Sequence, residues 1–187
     1  MSDLLYTTTS AFSARWDDEG SGATREGGFW HPVHQNDLRP IGSVGVPHYA
    51  DINGYHLLWS SQDSGAGKDG AFWRPIPPNG YVALGDMATA GLNPPDTDEI
   101  RCMLRDAVKP DNFDSNSIWD SEESGAKSDV SIWEVLGGRY WRSESEGGIT
   151  AIYLGAIRAS DTYDAPDSSL AQVPLVWDFY SAQPVST

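Results

Sequence analysis

The sequence predicts an all-β domain: a three-repeat, pseudo-threefold antiparallel architecture, β-prism-like, with a β-trefoil or a β-sandwich as alternatives. Three observations lead there. Nineteen Gly, twelve Pro and an 11% aromatic share are dispersed along 187 residues, the punctuation of many short strands joined by tight turns. One stretch bounded by tryptophans occurs three times without a gap. Helical periodicity is weak even in the best candidate, TDEIRCMLRDAV, where Ile100, Cys102 and Leu104 alternate with Arg101, Met103 and Arg105 and so suit a strand at least as well.

The repeated stretch runs WDDEGSGATREGGFW from Trp16 to Trp30, WSSQDSGAGKDGAFW from Trp59 to Trp73, and WDSEESGAKSDVSIW from Trp119 to Trp133. Ser-Gly-Ala recurs at one offset, as Ser21–Gly22–Ala23, Ser64–Gly65–Ala66 and Ser124–Gly125–Ala126. Glu26, Asp69 and Asp129 share a later offset, and Phe29, Phe72 and Ile132 precede the second tryptophan. Six of the eight tryptophans fall on these positions, so one supersecondary unit was needed three times.

In chain order, each unit reads as two strands joined by a long polar turn. Tyr55 to Trp59 is an apolar run that leads into the turn, and Phe72 and Trp73 begin the return strand. Pro77, Pro78, Asn79 and Gly80 then signal a turn before a strand from Tyr81 to Leu84. Pro32, Ile41 and Gly42 align with Pro75, Leu84 and Gly85, so the first copy continues in the same way. The longer second interval points to an insertion near NPPDTDE. The third copy diverges after Trp133, with Ile149 to Ile157 as its most strand-like part and PLVWDFYSA as a closing strand. About ten to twelve strands follow, in a single domain over residues 1–187 built from repeats at about 10–50, 51–110 and 111–187. Units that each need a neighbour to bury one face pack most economically around a shared core.

The combination SGAGKDGAFWRPIPPNGYVALGDMA, the copy WDSEESGAKSDVSIWEV and the intervening EIRCMLRDAV resemble the vacuolar-sorting-protein-62-related family. A fainter similarity is to the repeated adaptor-binding region of vacuolar protein sorting 13-type lipid-transfer proteins. The resemblance spans about Trp16 to Trp177 and is strongest from Trp59 to Met87. It implies an all-β, repeat-built domain similar in outline to β-prism lectins, with recognition or sorting roles, and it carries no catalytic residues to transfer. Glu26 in place of Asp, the missing Gly-Tyr turn of the first copy and the altered tail of the third depart from the pattern.

A formal charge of -15 repels phosphate backbones, so nucleic acid is not an expected partner. One cysteine, Cys102, allows neither an intrachain disulfide nor a cysteine metal site. A buried thiol is the expectation for it in the alternating IRCML run. No signal peptide or transmembrane run is legible, and a cytoplasmic location is expected. His31, His34, His48 and His56 are expected to be structural or exposed, because an i, i+3 pair on a strand points to opposite faces.

The candidate site is the repeated acidic turn. Asp63, Asp69, Glu123, Asp129, Asp18 and Glu26, joined by Asp17 and Glu122, present oxygen acceptors to sugar hydroxyls or to a hard cation such as calcium. The competing explanation is that the carboxylates at Glu26, Asp69 and Asp129 accept from backbone N–H groups of their own turns while the paired tryptophans fill the core. A serine nucleophile in DSGAG is disfavoured, since an enzyme needs one such site and not three. The expected function is a non-catalytic, lectin-like module that binds carbohydrate or a membrane-associated partner. The alternatives are a small-molecule-metabolism enzyme using an apolar, Trp-lined cavity, and a peptide-binding sorting or adaptor module.

Overall fold

The computed structural model of the chain describes residues 5–6, 11–17, 20, 22, 28–33, 40–41, 44–45, 49–136, 156–174 and 183–184. Their strands are short. In the first repeat they are β1 (Leu5–Tyr6), β2 (Phe12–Asp17), β3 (Gly28–Pro32), β4 (Pro40–Ile41), β5 (Val44–Gly45) and β6 (Tyr49–Ala50). The second contributes β7 (Tyr55–Ser60), β8 (Gly70–Pro75), β9 (Tyr81–Val82), β10 (Met87–Ala90), β11 (Cys102–Leu104) and β12 (Val108–Pro110). The third contributes β13 (Trp119–Asp120), β14 (Ser131–Glu134), β15 (Ile157–Ser160), β16 (Gln172–Pro174) and β17 (Gln183–Pro184). The only helical pieces among the described residues are the 3-10 turns Arg105–Ala107 and Ser168–Leu170.

All-β architecture with several antiparallel sheets is what the sequence predicts. The strands outnumber the expected ten to twelve because proline and glycine cut the sheets into pieces of two to six residues. TDEIRCMLRDAV divides as its alternation predicts, with strand β11 over Cys102–Leu104 and then a single 3-10 turn. Gly80 takes φ 83° in the expected Pro-Pro-Asn-Gly turn, where the Tyr81 amide donates to the Pro78 carbonyl at 3.1 Å. Most of the Ile149 to Ile157 segment, and PLVWDFYSA beyond Pro174, lie outside the described residues.

The hairpins β2–β3, β7–β8 and β13–β14 are the repeated unit, each antiparallel. In the first two a bulge falls at the same place, between Ala14 and Trp16 and between Leu57 and Trp59. It brings Trp16 opposite Phe29 and Trp59 opposite Phe72; in the third hairpin Trp119 faces Ile132 directly. Residues opposite each other share a sheet face. Each pair therefore points inward together, and the three pairs meet in one core with Ala88, Val130 and Ala159. Trp16 and Trp119 lie 5.1 Å apart centroid to centroid, Trp59 and Trp119 5.8 Å, and Trp16 and Trp59 5.7 Å, each pair edge to face. Edge-to-face packing sets the positive rim of one ring against the negative face of the next.

The second tryptophans take a different place from the first. Trp73 follows Phe72 and so points to the opposite face of its strand, where its indole N–H donates to Thr89 Oγ1 at 3.0 Å. Trp133 likewise donates to Ser131 Oγ at 2.7 Å. Both are buried, but the central seat beside each first tryptophan belongs to Phe29, Phe72 or Ile132.

A buried ionic joint connects the second repeat to the third. Asp86 has no exposed side-chain surface and accepts from Arg74 Nε and Nη2 at 3.0 and 2.8 Å, from Arg158 Nη1 at 3.0 Å and from the Ala159 amide at 2.9 Å. Arg158 also reaches the carbonyls of Ala83 and, at 3.2 Å, Leu170. Burial pulls the Arg158 guanidinium below its ordinary value, and Asp86 pushes it back up.

Candidate functional site

The turns are set by backbone geometry that all three copies share. Four residues after each first tryptophan the backbone is left-handed: Gly20 has φ 78°, Asp63 62° and Glu123 63°. Two residues further on Gly22, Gly65 and Gly125 repeat the sign at 80°, 79° and 75°. The Ser64 amide donates to the Ser61 carbonyl, and Ser124 to Ser121, each at 3.0 Å. A closed four-residue turn with positive φ at its third position is the type II pattern, which favours glycine there. The first copy supplies that glycine, and the other two place an acid in the strained position.

Serines, not the later carboxylates, brace these turns. Ser61 Oγ accepts from the Gly70 amide at 2.8 Å and Ser121 Oγ from Val130 at 3.0 Å. Ser64 and Ser124 accept from Ala66 and Ala126, each at 3.2 Å. Ser64 and Ser124 are buried, their hydroxyls engaged by backbone, which disposes of the nucleophile reading for these two copies. Asp69 and Asp129 are exposed, and among the described residues no turn amide donates to either carboxylate. For Asp69 and Asp129 that corrects the bracing explanation, since a hydroxyl two residues after the tryptophan meets the returning strand in their place; Glu26 lies outside the described residues. Asp129 Oδ1 instead accepts from the Tyr163 hydroxyl at 2.9 Å.

The turns of the three copies converge at one end of the hairpins. A Cβ added at Gly20 would lie 3.4 Å from the Gly67 amide, one at Gly22 3.7 Å from the Glu123 carbonyl, and one at Gly125 3.4 Å from the Ser64 carbonyl. Each turn thus touches the other two. Trp16 Nε1 donates to the Lys68 carbonyl at 3.3 Å and Trp59 Nε1 to the Ser128 carbonyl at 2.9 Å, so each tryptophan reaches the same point in the next copy's turn. Lys68 pairs with Asp17 at 2.7 Å, and Lys127 pairs with Asp63. Of the predicted site residues, Asp63 pairs with Lys127 of the third copy's turn and the Glu123 carbonyl lies beside Gly22 of the first, while Asp69 and Asp129 each stand ten residues after the first tryptophan of their own copy; all four are exposed, and Asp18 and Glu26 lie outside the described residues.

Other candidates resolve differently. His31 Nε2 lies 3.2 Å from the Glu99 carbonyl and His56 is exposed on β7, whereas His34 and His48 lie outside the described residues. Among the described residues no group of three or more His, Cys, Asp or Glu is placed to hold a metal ion, and no helix is long and apolar enough to cross a membrane. Cys102 is fully buried, and burial pushes its thiol up to about 11, so it is a packed side chain and not a nucleophile.

Among the described residues, Trp16, Trp59 and Trp119 pack against one another in the core and do not line a cavity. An open groove of about 500 Å³ lies elsewhere, between β7 and the segment from Ala159 to Leu170, with Leu57, Leu58, Arg74, Asp161 and Leu170 on its walls and no tryptophan. Sequence reasoning missed this groove and the Asp86 joint. Their one local signal was an acid after Gly85 in an otherwise apolar run; the arginines that meet it are 12 and 72 residues away.

Two comparisons with known proteins give a match. A family model described as vacuolar protein sorting-associated protein 62 matches residues 42–140, just over half of the chain. Among solved structures, the crystal structure of GNIP1Aa from Chromobacterium piscinae is similar with a TM-score of 0.69 and 23% identity, over 90% of this chain and 35% of that one. The chain therefore spans about a third of that protein's length, and the likeness is one of fold. No curated protein matches the chain.

Proposed function

The chain belongs to the vacuolar protein sorting-associated protein 62 family, and from that premise we propose that it is a non-catalytic recognition module whose repeats work as one domain. Its ligand on this reading is a hydroxyl-rich carbohydrate, free or carried by a membrane-associated partner, held at the end where the turns meet. The observation that supports this most is that the three turns meet at one end of the hairpins, where Asp63, Asp69, Glu123 and Asp129 of the second and third copies are exposed. Serine bracing leaves the carboxylates of Asp69 and Asp129 free of the turn backbone, so the Asp69 oxygens, and Asp129 Oδ2 beside the Oδ1 that Tyr163 engages, can accept from sugar hydroxyls.

A glycan array probed with and without added calcium is the direct test. Binding on either arm, lowered at least about tenfold by Asp69→Ala together with Asp129→Ala at unchanged Tm, supports the reading; tenfold corresponds to about 1.4 kcal/mol, the scale of one or two lost charge-assisted hydrogen bonds. Silence on both arms removes it.

A further inference from the structure

The groove between the second and third repeats has a lining unlike that of the turn end, to which its outer wall is joined by the Tyr163 bond to Asp129. Its walls hold three consecutive residues of β7, His56, Leu57 and Leu58. Leu58 is the extra residue of the bulge in β7, where regular side-chain alternation is interrupted, and the groove touches the strand at that irregularity. Among the described residues β7 is the outer strand of the sheet ordered β10-β8-β7. The facing strand β15 has its own edge closed, because the Asp86 amide donates to the Ile157 carbonyl at 2.8 Å, the Ala159 amide donates to Asp86, and Arg74 Nη2 donates to the Ala159 carbonyl at 2.8 Å.

Arg74 links this closure to the groove. Asp86 and Ala159 hold its Nε and Nη2, which fixes the guanidinium plane, and Nη1 has no hydrogen-bond partner among the described residues. Its side chain is 27% exposed and lines the groove. The two arginines around Asp86 outnumber its single charge, and the Asp161 carboxylate acts on Arg74 from the groove wall, so the groove sets a fixed cation beside a fixed anion. A guanidinium held in place with one N–H donor unused suits a carboxylate oxygen. Leu57, 44% exposed, with Leu58 and Leu170 offers apolar surface beside it, and Asp161 supplies an acceptor for a donor on the same ligand.

We propose that this groove captures the C-terminal end of an extended partner peptide, its terminal carboxylate on Arg74 Nη1, its last apolar side chain on Leu57 and Leu58, and its backbone along the edge of β7. A peptide end combines these requirements, since it brings a carboxylate, amide donors for Asp161 and a strand-forming backbone together. A simple aliphatic acid has the carboxylate without the donors. The groove volume falls within the ordinary range of ligand sites, about 300–1,000 Å³.

The test uses the full chain and three probes: N-acetyl-Gly-Leu-Leu as the free acid, the same peptide as its C-terminal amide, and hexanoate. Titration is followed by amide chemical shifts. The expected result is saturable shifts at 56–58 and 159–162 with the free acid, at least about tenfold weaker binding of the amide, and comparable weakening by Arg74→Lys, which keeps a bond to Asp86 but lacks the second donor. Leu57→Asp, on the exposed wall, tests the groove without touching the joint and is expected to weaken the free acid to a similar degree. The proposal is overturned if the amide or hexanoate binds as tightly as the free acid, if no shift appears in the groove, or if Leu57→Asp binds like the parent chain.

Discussion

At Gly70 a side chain has no room: a Cβ there would sit 2.0 Å from Trp16 Cδ1. Gly70→Ala must displace the central indole, and overpacking of this kind costs about 1–3 kcal/mol, which a urea denaturation midpoint will register. The left-handed positions behave in the other direction. Glu123 is a longer side chain in a backbone conformation that costs a non-glycine residue about 1–2 kcal/mol, so Glu123→Gly is expected to raise stability by up to about 1 kcal/mol after the added unfolded-state entropy. Asp63→Gly gains less, because aspartate tolerates that conformation better and the exposed pair with Lys127, worth under about 1 kcal/mol, is lost. Burial raises the Cys102 thiol from 9.0 to about 11 and also raises the Tyr55 phenol. Both groups release protons more readily when unfolded, so their contribution is intact below pH 9.0 and declines as pH rises through about 11. Denaturation midpoints across that window will fall, and less steeply in Cys102→Ser.

Among the elements, the turn is the unit whose two readable copies agree in detail. Ser61 and Ser121 each accept a buried amide of the returning strand. Ser61→Ala and Ser121→Ala are each expected to cost about 1–3 kcal/mol, the penalty for leaving a buried donor unpaired, and additively if the hairpins fold as separate supports. Asp69→Ala and Asp129→Ala leave those bonds intact and are expected to change stability by less than about 0.5 kcal/mol in the same denaturation assay. The spacing of tryptophan, small residues and tryptophan was enough to read the hairpins and their polar turns. Which polar residue braces the turn was not, because serine and aspartate are equivalent turn formers in one dimension and differ only in which amide they can reach. The separation of Phe72 from Trp73 onto opposite faces was legible in principle from strand alternation, yet two adjacent aromatics invite a shared core.

Across the whole molecule, the Asp86 joint decides how the second and third repeats sit together. Asp86→Ala leaves Arg158 buried with no carboxylate, and breaking a buried pair from one side costs about 3–5 kcal/mol, enough to lower Tm by several degrees in differential scanning calorimetry. Three-fold repetition, all-β class, the hairpin unit, its apolar anchors and the family resemblance were determined by the sequence, because periodicity and turn chemistry are local and survive without coordinates. Convergence of the turns, the exposure of Asp69 and Asp129, the pairing of Asp86 with Arg74 and Arg158, and the groove along β7 were decided by tertiary structure alone. Each depends on distances between residues far apart in the chain, and those follow from how three like units close around Trp16, Trp59 and Trp119.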